Sequence, residues 1–370
     1  MSRRGGILSK FALVLAILAA LFIISAAISS QLDPDTYSSL ALLGLAYPYL
    51  LYLNLFFVAL FLIIRKWWFV IPLAAILLTG PSLFSYVQYN PSGSALNESN
   101  PQLKILSYNV RLFNLYDWEN NKRAKNEIIA FIDAEHPDVM CFQEFFYRPN
   151  YRDFNTKDTL LDLFEGYHVK EGYTHFLKAN QRFGLVTISK YPIVGSGEIK
   201  FDNDINNNVI YTDLEVETDT VRVYNAHLAS IRFQQEDYRA IGDEESADMY
   251  GRTSNQSSQI LKRLTDAFEH RSVQIQKLKS HIDTSPYPIV LCGDFNDTPN
   301  SFCYKTINQD LVDAFKISGK GNGGTYIGKF PSYRIDYIFH SKNIHSYYYK
   351  KYDIDYSDHH PISCVFELKN

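Results

Sequence analysis

At 370 residues and a formal net charge of −4, the chain has room for one large domain or two ordinary ones. Its four cysteines (Cys141, Cys292, Cys303 and Cys364) form no CxxC pair, and no HExxH stretch or cysteine cluster is present, which excludes the common zinc motifs. Charge is unevenly spread, +3 over residues 1–88 and −7 over the remainder, and this mild acidity neither supports nor excludes a nucleic-acid partner.

Residues 7–28 are almost uninterruptedly apolar, with Ser9, Lys10 and Ser25 as the polar exceptions. That length suits one bilayer crossing, which takes roughly 20 residues. A cleaved signal peptide does not account for the region, because residues 40–64 and 68–86 are second and third apolar runs. The expectation is a three-helix transmembrane anchor over residues 1–88, embedded in a lipid bilayer. Arg3, Arg4 and Lys10 flank the first run, and Arg65 and Lys66 separate the second from the third, whereas residues 29–39 hold no Lys or Arg. The positive-inside tendency then puts the N-terminus in the cytoplasm. Three crossings make this an integral protein of a bacterial inner membrane, its following domain periplasmic or extracellular. Residues 89–102, rich in Pro, Ser and Asn, read as a linker to a domain over 103–370.

In that domain residues 103–110 read as a strand delivering Asn109, and residues 118–135 as a helix with Ile128, Ile129 and Ile132 on one face. Residues 138–142 read as a short buried strand ending at Gln143 and Glu144. Four further strands lead to 221–228, where Asn225 and His227 stand two apart and so share a side. Residues 229–252 read as a long loop over the site, and 255–282 as an amphipathic helix. Residues 289–293 form a buried strand that ends in Asp294, Asn296 and Asp297. Asp294 and Asn296 again share a side on an extended chain, although Asp and Asn are also ordinary turn residues. Residues 319–324 read as a flexible loop, 334–340 as a strand carrying Asp336, 357–361 as the segment SDHHP, and 362–368 as a closing strand. Helices placed between groups of strands suggest two sheets packed face to face with helices outside.

The polar residues recur at strand ends, and one cleft at the shared rim of two sheets would collect them. Glu144, Asp294 and Asp358, with Asn109 and Asn296, are oxygen donors suited to Mg²⁺ or Mn²⁺. His227 and His359 are then free to work on substrate, with Asp336 placed to orient His359. Together these groups suit attack of water on a phosphate ester.

The segments SYNV (107–110), QE (143–144), NAHL (225–228), GDFND (293–297), RIDYIF (334–339) and SDHHP (357–361) resemble, in this order, those of the endonuclease/exonuclease/phosphatase (DNase I-like) superfamily. The resemblance spans nearly all of 103–368 and leaves the anchor uncovered. It implies a four-layer α/β/β/α sandwich and a metal-dependent phosphoesterase, most simply of nuclease type. Lipid phosphodiesterases and inositol-phosphate phosphatases occur in the same superfamily, and a catalytically inactive binding module is a further alternative. It implies that Glu144, Asn109 and Asp358 hold the metal ion and that Asp294 activates water. Asn296 and His227 would contact phosphate, and Asp336 and His359 would act as an Asp–His pair. His360 is expected to pack or cap. Arg271 and Gln274 are expected to anchor the long helix, Lys350 and Lys351 to lie on a solvated strand face, and no protein partner is inferable.

Overall fold

A computed structural model describes residues 2–90, 101–115, 121–202, 204–231, 254–328 and 332–368. Most of the expected linker, and the expected long loop from residue 232 onward, lie outside the described residues.

The N-terminal part contains helices α1 (Ser2–Ser29), α2 (Pro34–Leu45), α3 (Tyr47–Ile63) and α4 (Val70–Leu78). Among the described residues only Gly6–Ser29 within α1 is long and apolar enough by itself to cross a membrane; α2 and α3 qualify only together, across a 45° bend. The three expected crossings are therefore not three continuous helices. The third run is interrupted, Thr79 ending α4 and Gly80–Leu83 forming a separate short turn of helix. Its apolar helix, Trp67–Leu78, is short for a bilayer at about 1.5 Å per residue. Moreover α2 lies against residues of the 103–370 region. Its N-cap Asp33 accepts from Gln276 (2.7 Å) and from Ser272, and Gly44 approaches so closely that a Cβ would stand 2.3 Å from the Asn300 carbonyl oxygen.

This seam continues along the chain. Strand β1 (Val87–Tyr89) pairs antiparallel with β11 (Lys320–Asn322), so part of the expected flexible loop 319–324 is a strand. The buried Arg334 donates to the Ser85 carbonyl at 2.9 Å while pairing with Asp313.

The remaining strands form two six-stranded sheets. The first runs β13 (His345–Lys351), β14 (Ile362–Glu367), β2 (Gln102–Asn109), β3 (Val139–Tyr147), β5 (Arg182–Ser189), β4 (His168–Phe176). The second runs β10 (Val312–Asp313), β12 (Asp336–His340), β9 (Ile289–Asp294), β8 (Asp219–His227), β7 (Asp204–Val216), β6 (Ile193–Phe201). Each has one central parallel pair, β2 with β3 and β8 with β9, flanked by antiparallel neighbours. Parallel neighbours need a crossover, supplied by α5 (Asn121–Glu135) in the first sheet and α7 (Ser254–Ile282) in the second.

Strand alternation then builds the layers. Ile105, Val139, Cys141, Val223, Val290, Cys292, Ile338 and Cys364 point between the sheets into one core. Leu106, Met140 and Phe142 face outward with Ile128 and Ile132 of α5 and Leu160 of α6 (Thr156–Leu163). Tyr224, Leu291 and Phe339 face outward with Ile275 and Leu278 of α7 and Ile307 of α8 (Phe302–Asn308). The result is four layers, helices outside two facing sheets. All four cysteines are buried and free.

Candidate active site

The inner faces that pack the core carry polar residues where their strands end. Val221, Val223, Asn225 and His227 occupy one side of β8; Val290, Cys292 and Asp294 occupy one side of β9. The register sets His227 beside Asp294, and Asp294 beside Asp336. Such close neighbours require Gly293, whose φ is 141° and whose Cβ, if present, would stand 2.0 Å from the Ala226 carbonyl oxygen. From the facing sheet come Asn109, last residue of β2, and Glu144 of β3. His359 arrives from the segment ahead of β14, fixed by a bridge to Tyr326, whose ring stands edge-on 5.4 Å away.

These residues form one contact network across the two sheets. Asn109 Nδ2 donates to Asp294 Oδ2 at 3.0 Å and reaches Glu144 Oε1 at 3.5 Å. His227 Nε2 stands 3.8 Å from Glu144 Oε1 and from Asp294 Oδ2, too far for a hydrogen bond. Among the described residues it is a buried nitrogen without a hydrogen-bond partner. His359 Nδ1 is 2.9 Å from Asp336 Oδ2, and its Nε2 is 3.7 Å from Asp294 and 4.0 Å from Asp358. Asp358 stands at the rim, where Arg111 pairs with it at 3.4 Å.

Asn296 answers to both descriptions of its stretch. Its peptide N–H donates to Asp294 Oδ1 (2.8 Å), closing an Asx turn, and its Nδ2 donates to Asp294 Oδ2 (3.3 Å) and the Leu228 carbonyl (3.0 Å). The turn holds Asn296 in the cleft with a φ of 52° rather than by strand alternation.

Burial sets the protonation pattern. Asp294, 1% exposed, is pushed up to about 6 by desolvation and by Asp336, against the opposing pull of His359 and His227. Glu144 is raised by desolvation and by Asp358. His227 is lowered by desolvation, and so is neutral at pH 7. His359 would be lowered by its burial, but Asp336 and Asp294 overcome that and lift it to about 10, so it is a cation.

Carboxylates crowded this closely, two of them held above the usual range, suit a divalent cation. Glu144 and Asp358, with the Asn109 carboxamide, supply hard oxygen donors from the facing sheet. The one group of three His, Cys, Asp or Glu side chains among the described residues whose ligand atoms all lie within 4.8 Å of one another is instead Asp294, Asp336 and His359. There the His359–Asp336 bond already accounts for the closeness.

The other expectations divide. His360 bonds its ring Nδ1 with the Ile354 carbonyl (2.9 Å) and its N–H to the Thr325 carbonyl, a structural position. Arg271 and Gln274 grip one peptide from α7: Gln274 Oε1 accepts from the Ala229 N–H (2.8 Å), and Arg271 donates to the Ala229 carbonyl (2.9 Å) while facing Asp297. This fixes the chain two residues beyond His227. Lys350 pairs with Glu135, and Lys351 with Asp353. Sequence reasoning missed Arg111, Tyr326 and Ser357, whose hydroxyl donates to the Asn109 carbonyl at 2.7 Å. Ser357 at least lay inside the quoted SDHHP, but an isolated Arg or Tyr carried no signal.

The family model described as Endonuclease/Exonuclease/phosphatase family matches residues 106–359, and that of a domain of unknown function, DUF8431, matches residues 9–86. No curated protein matches. Among solved structures the chain is similar to an endonuclease/exonuclease/phosphatase from Beutenbergia cavernae DSM 12333, at 19% identity and a TM-score of 0.52 over 72% of each chain. It is also similar to one from Bacteroides vulgatus, at 18% identity and 0.51 over 72% of this chain and 99% of that one. A Bacteroides thetaiotaomicron mannosyl-6-phosphatase gives 17% and 0.50 over 72% of this chain and all of its own. Those identities speak for the fold. The family match runs from within β2 to His359, over half of the sequence, and the chain therefore belongs to the endonuclease/exonuclease/phosphatase family, whose named activities hydrolyse phosphoester bonds.

Proposed function

We propose that the chain is a metal-dependent phosphoesterase that hydrolyses a phosphodiester, in the manner of a nuclease. The observation that carries this reading is the single cleft in which Asn109, Glu144, His227, Asp294, Asn296, Asp336 and His359 meet from both sheets. Glu144, Asn109 and Asp358 would hold a Mg²⁺ or Mn²⁺ ion, which when bound polarises a phosphoryl oxygen.

The chain's own groups do the rest. Asp294, raised to about 6 and so ionised at pH 7, takes the proton from the attacking water. Asn296 and Asn109 keep its oxygens oriented. His359, kept cationic by Asp336, stabilises charge that develops on the phosphoryl oxygens. His227 is neutral, with Nε2 unpartnered among the described residues, and is left to hydrogen-bond substrate.

The test uses the full-length chain in detergent with plasmid, abasic oligonucleotide, lipid vesicles and sugar or inositol phosphates, with and without chelator. Nuclease activity that chelator abolishes supports the reading; the absence of any phosphoester hydrolysis with Mg²⁺ or Mn²⁺ refutes it. Headgroup release from vesicles without nuclease activity favours a second reading, a lipid-headgroup phosphodiesterase. One observation supports that alternative: the loop that follows Asn296 carries Asn300, against which Gly44 of α2 is packed, so the chain just beyond a site residue rests on an N-terminal helix.

The same reading attaches the chain to a bacterial inner membrane through its N-terminal helices, the 103–370 domain being periplasmic or extracellular. The positions of Arg3, Arg4, Lys10, Arg65 and Lys66 support it. Protease that digests the domain in spheroplasts supports this side; protection until lysis places it in the cytoplasm, as two crossings would.

A further inference from the structure

Regular alternation along β3 would not bring Glu144 into the cleft. Val139 and Cys141 face the opposite sheet with Gln143, whereas Met140 and Phe142 face α5. On a regular strand Glu144 would turn outward as well. Instead, the pairing with β5 passes from Phe142↔Val186 to Phe145↔Gly184, setting two residues of β3 opposite one of β5. Glu144 sits in this bulge with a φ of 50°. The bulge is what aims the carboxylate at Asn109 and His227.

Two fully buried amides meet behind it. Asn225, on β8 of the other sheet, donates from Nδ2 to the Phe142 carbonyl (3.1 Å) and to the Val186 carbonyl (3.1 Å). Those carbonyls belong to the last regular pair before the bulge. Asn225 Oδ1 in turn accepts from Gln143 Nε2 at 2.7 Å, and Gln143 also reaches the Ser107 hydroxyl and the Cys141 carbonyl. A residue of the second sheet thus fixes both strands of the first at the point where β3 departs from regularity. Gln143 itself is the other residue of the bulge.

We propose that the Gln143–Asn225 pair is a positioning device for Glu144, an inter-sheet amide lock that holds the bulge open toward the cleft. Neither residue contacts substrate. This rests on the reading of Glu144 as a carboxylate that holds the metal ion. Losing the lock lets β3 relax toward regular alternation and withdraws Glu144, while the sheets stay packed through their apolar core.

The test measures binding of Mn²⁺ alone, by the electron paramagnetic resonance of the free ion, to the full-length chain in detergent. Gln143→Met keeps the volume and removes the donor; Asn225→Ser removes the reach to Phe142 and Val186. Groups that orient a metal ligand typically govern 10–100-fold in affinity or activity, so each variant is expected to weaken Mn²⁺ binding by about tenfold or more. The same range applies to kcat on bis(p-nitrophenyl) phosphate, with KM little changed. Cys364→Ala, in the same core but remote from the bulge, is the control: it lowers the melting temperature and leaves Mn²⁺ affinity unchanged. Unaltered Mn²⁺ affinity in a folded Gln143→Met or Asn225→Ser overturns the proposal. So does failure of both variants to fold, which makes the pair a determinant of the fold instead. If Glu144→Ala binds Mn²⁺ as well as the unaltered chain does, the reading of the site fails, and that result is separate from the behaviour of the lock.

Discussion

Asp336→Asn isolates the charge that makes His359 a cation. An asparagine oxygen can still accept from His359 Nδ1, 2.9 Å away, so the geometry survives and only the charge goes. In the native chain burial works against protonation, but Asp336 and Asp294 lift His359 from 6.5 to about 10. Asp336 is nearest, with Asp294 at 3.7 Å and Asp358 at 4.0 Å. Two charges about 4 Å apart at an effective dielectric near 20 attract by about 4 kcal/mol, or about 3 pKa units. The substitution should therefore bring His359 down by about 2–3 units, to titrate near neutrality. The folded-state value is raised, so its stabilisation is complete below the unfolded value of about 6.5. It is lost as pH rises toward 10, at about 1.4 kcal/mol per pH unit and about 5 kcal/mol in all. Chemical denaturation at pH 7, 8 and 9 should show that decline in the native chain and a much flatter curve in Asp336→Asn above about pH 8. Parallel curves for the two proteins would refute the assignment of the charge to His359. So would a ¹³C-labelled histidine resonance, assigned by His359→Gln, that titrates near 6.5 in the native chain.

Asp294, raised to about 6 without metal, should impose the opposite limb on catalysis: kcat/KM falls about tenfold per pH unit on the acid side, and because a bound cation favours the carboxylate, that limb lies at or below pH 6 in a pH–rate profile at saturating Mg²⁺. Glu144→Ala should lose most turnover and bind Mn²⁺ at least tenfold more weakly. Its melting temperature without metal should hold or rise, because burial and Asp358 disfavour the ionised Glu144; a steep fall would mean that Glu144 is structural. Gly293→Ala is expected to cost several kcal/mol, or to prevent folding, by setting a methyl group against the Ala226 carbonyl, and expression with thermal melts checks it. Arg334→Ala, which leaves Asp313 buried without its cation and Ser85 without its donor, should cost about 3–5 kcal/mol in denaturation.

The strand ends of the site were legible because polar residues interrupt apolar strands there, and two-residue alternation sets Asn225 and His227 on one side. The two crossover helices were legible from their apolar faces. The apolar run ahead of QE marks a strand end at Glu144, yet β3 continues through Phe145, Phe146 and Tyr147. The bulge that reverses its direction uses a glutamate at positive φ, where no glycine marks the turn. The seam with the N-terminal helices was equally silent. It rests on single residues such as Asp33, Ser85 and Arg334, whose partners lie more than 200 positions away in sequence. The break in the third apolar run had a sign in Gly80 and Pro81, but apolarity continues across them and composition masked it.

The left-handed backbone of the cleft bears on how this protein can be improved. Besides Glu144 and Asn296, Arg111 through Asn114 all have φ between 44° and 56°, beginning two residues after Asn109. Outside glycine such residues cost roughly 1–2 kcal/mol each, so glycine at Glu144 would raise thermal stability, whereas at Leu112, which packs against the outer core, it would also lose that packing. A laboratory selection scored on melting alone would accept the Glu144 change and erode turnover in doing so. Stabilising changes compatible with activity belong on the outer helices and along the seam with the N-terminal segment, where no strained residue aims a side chain into the cleft.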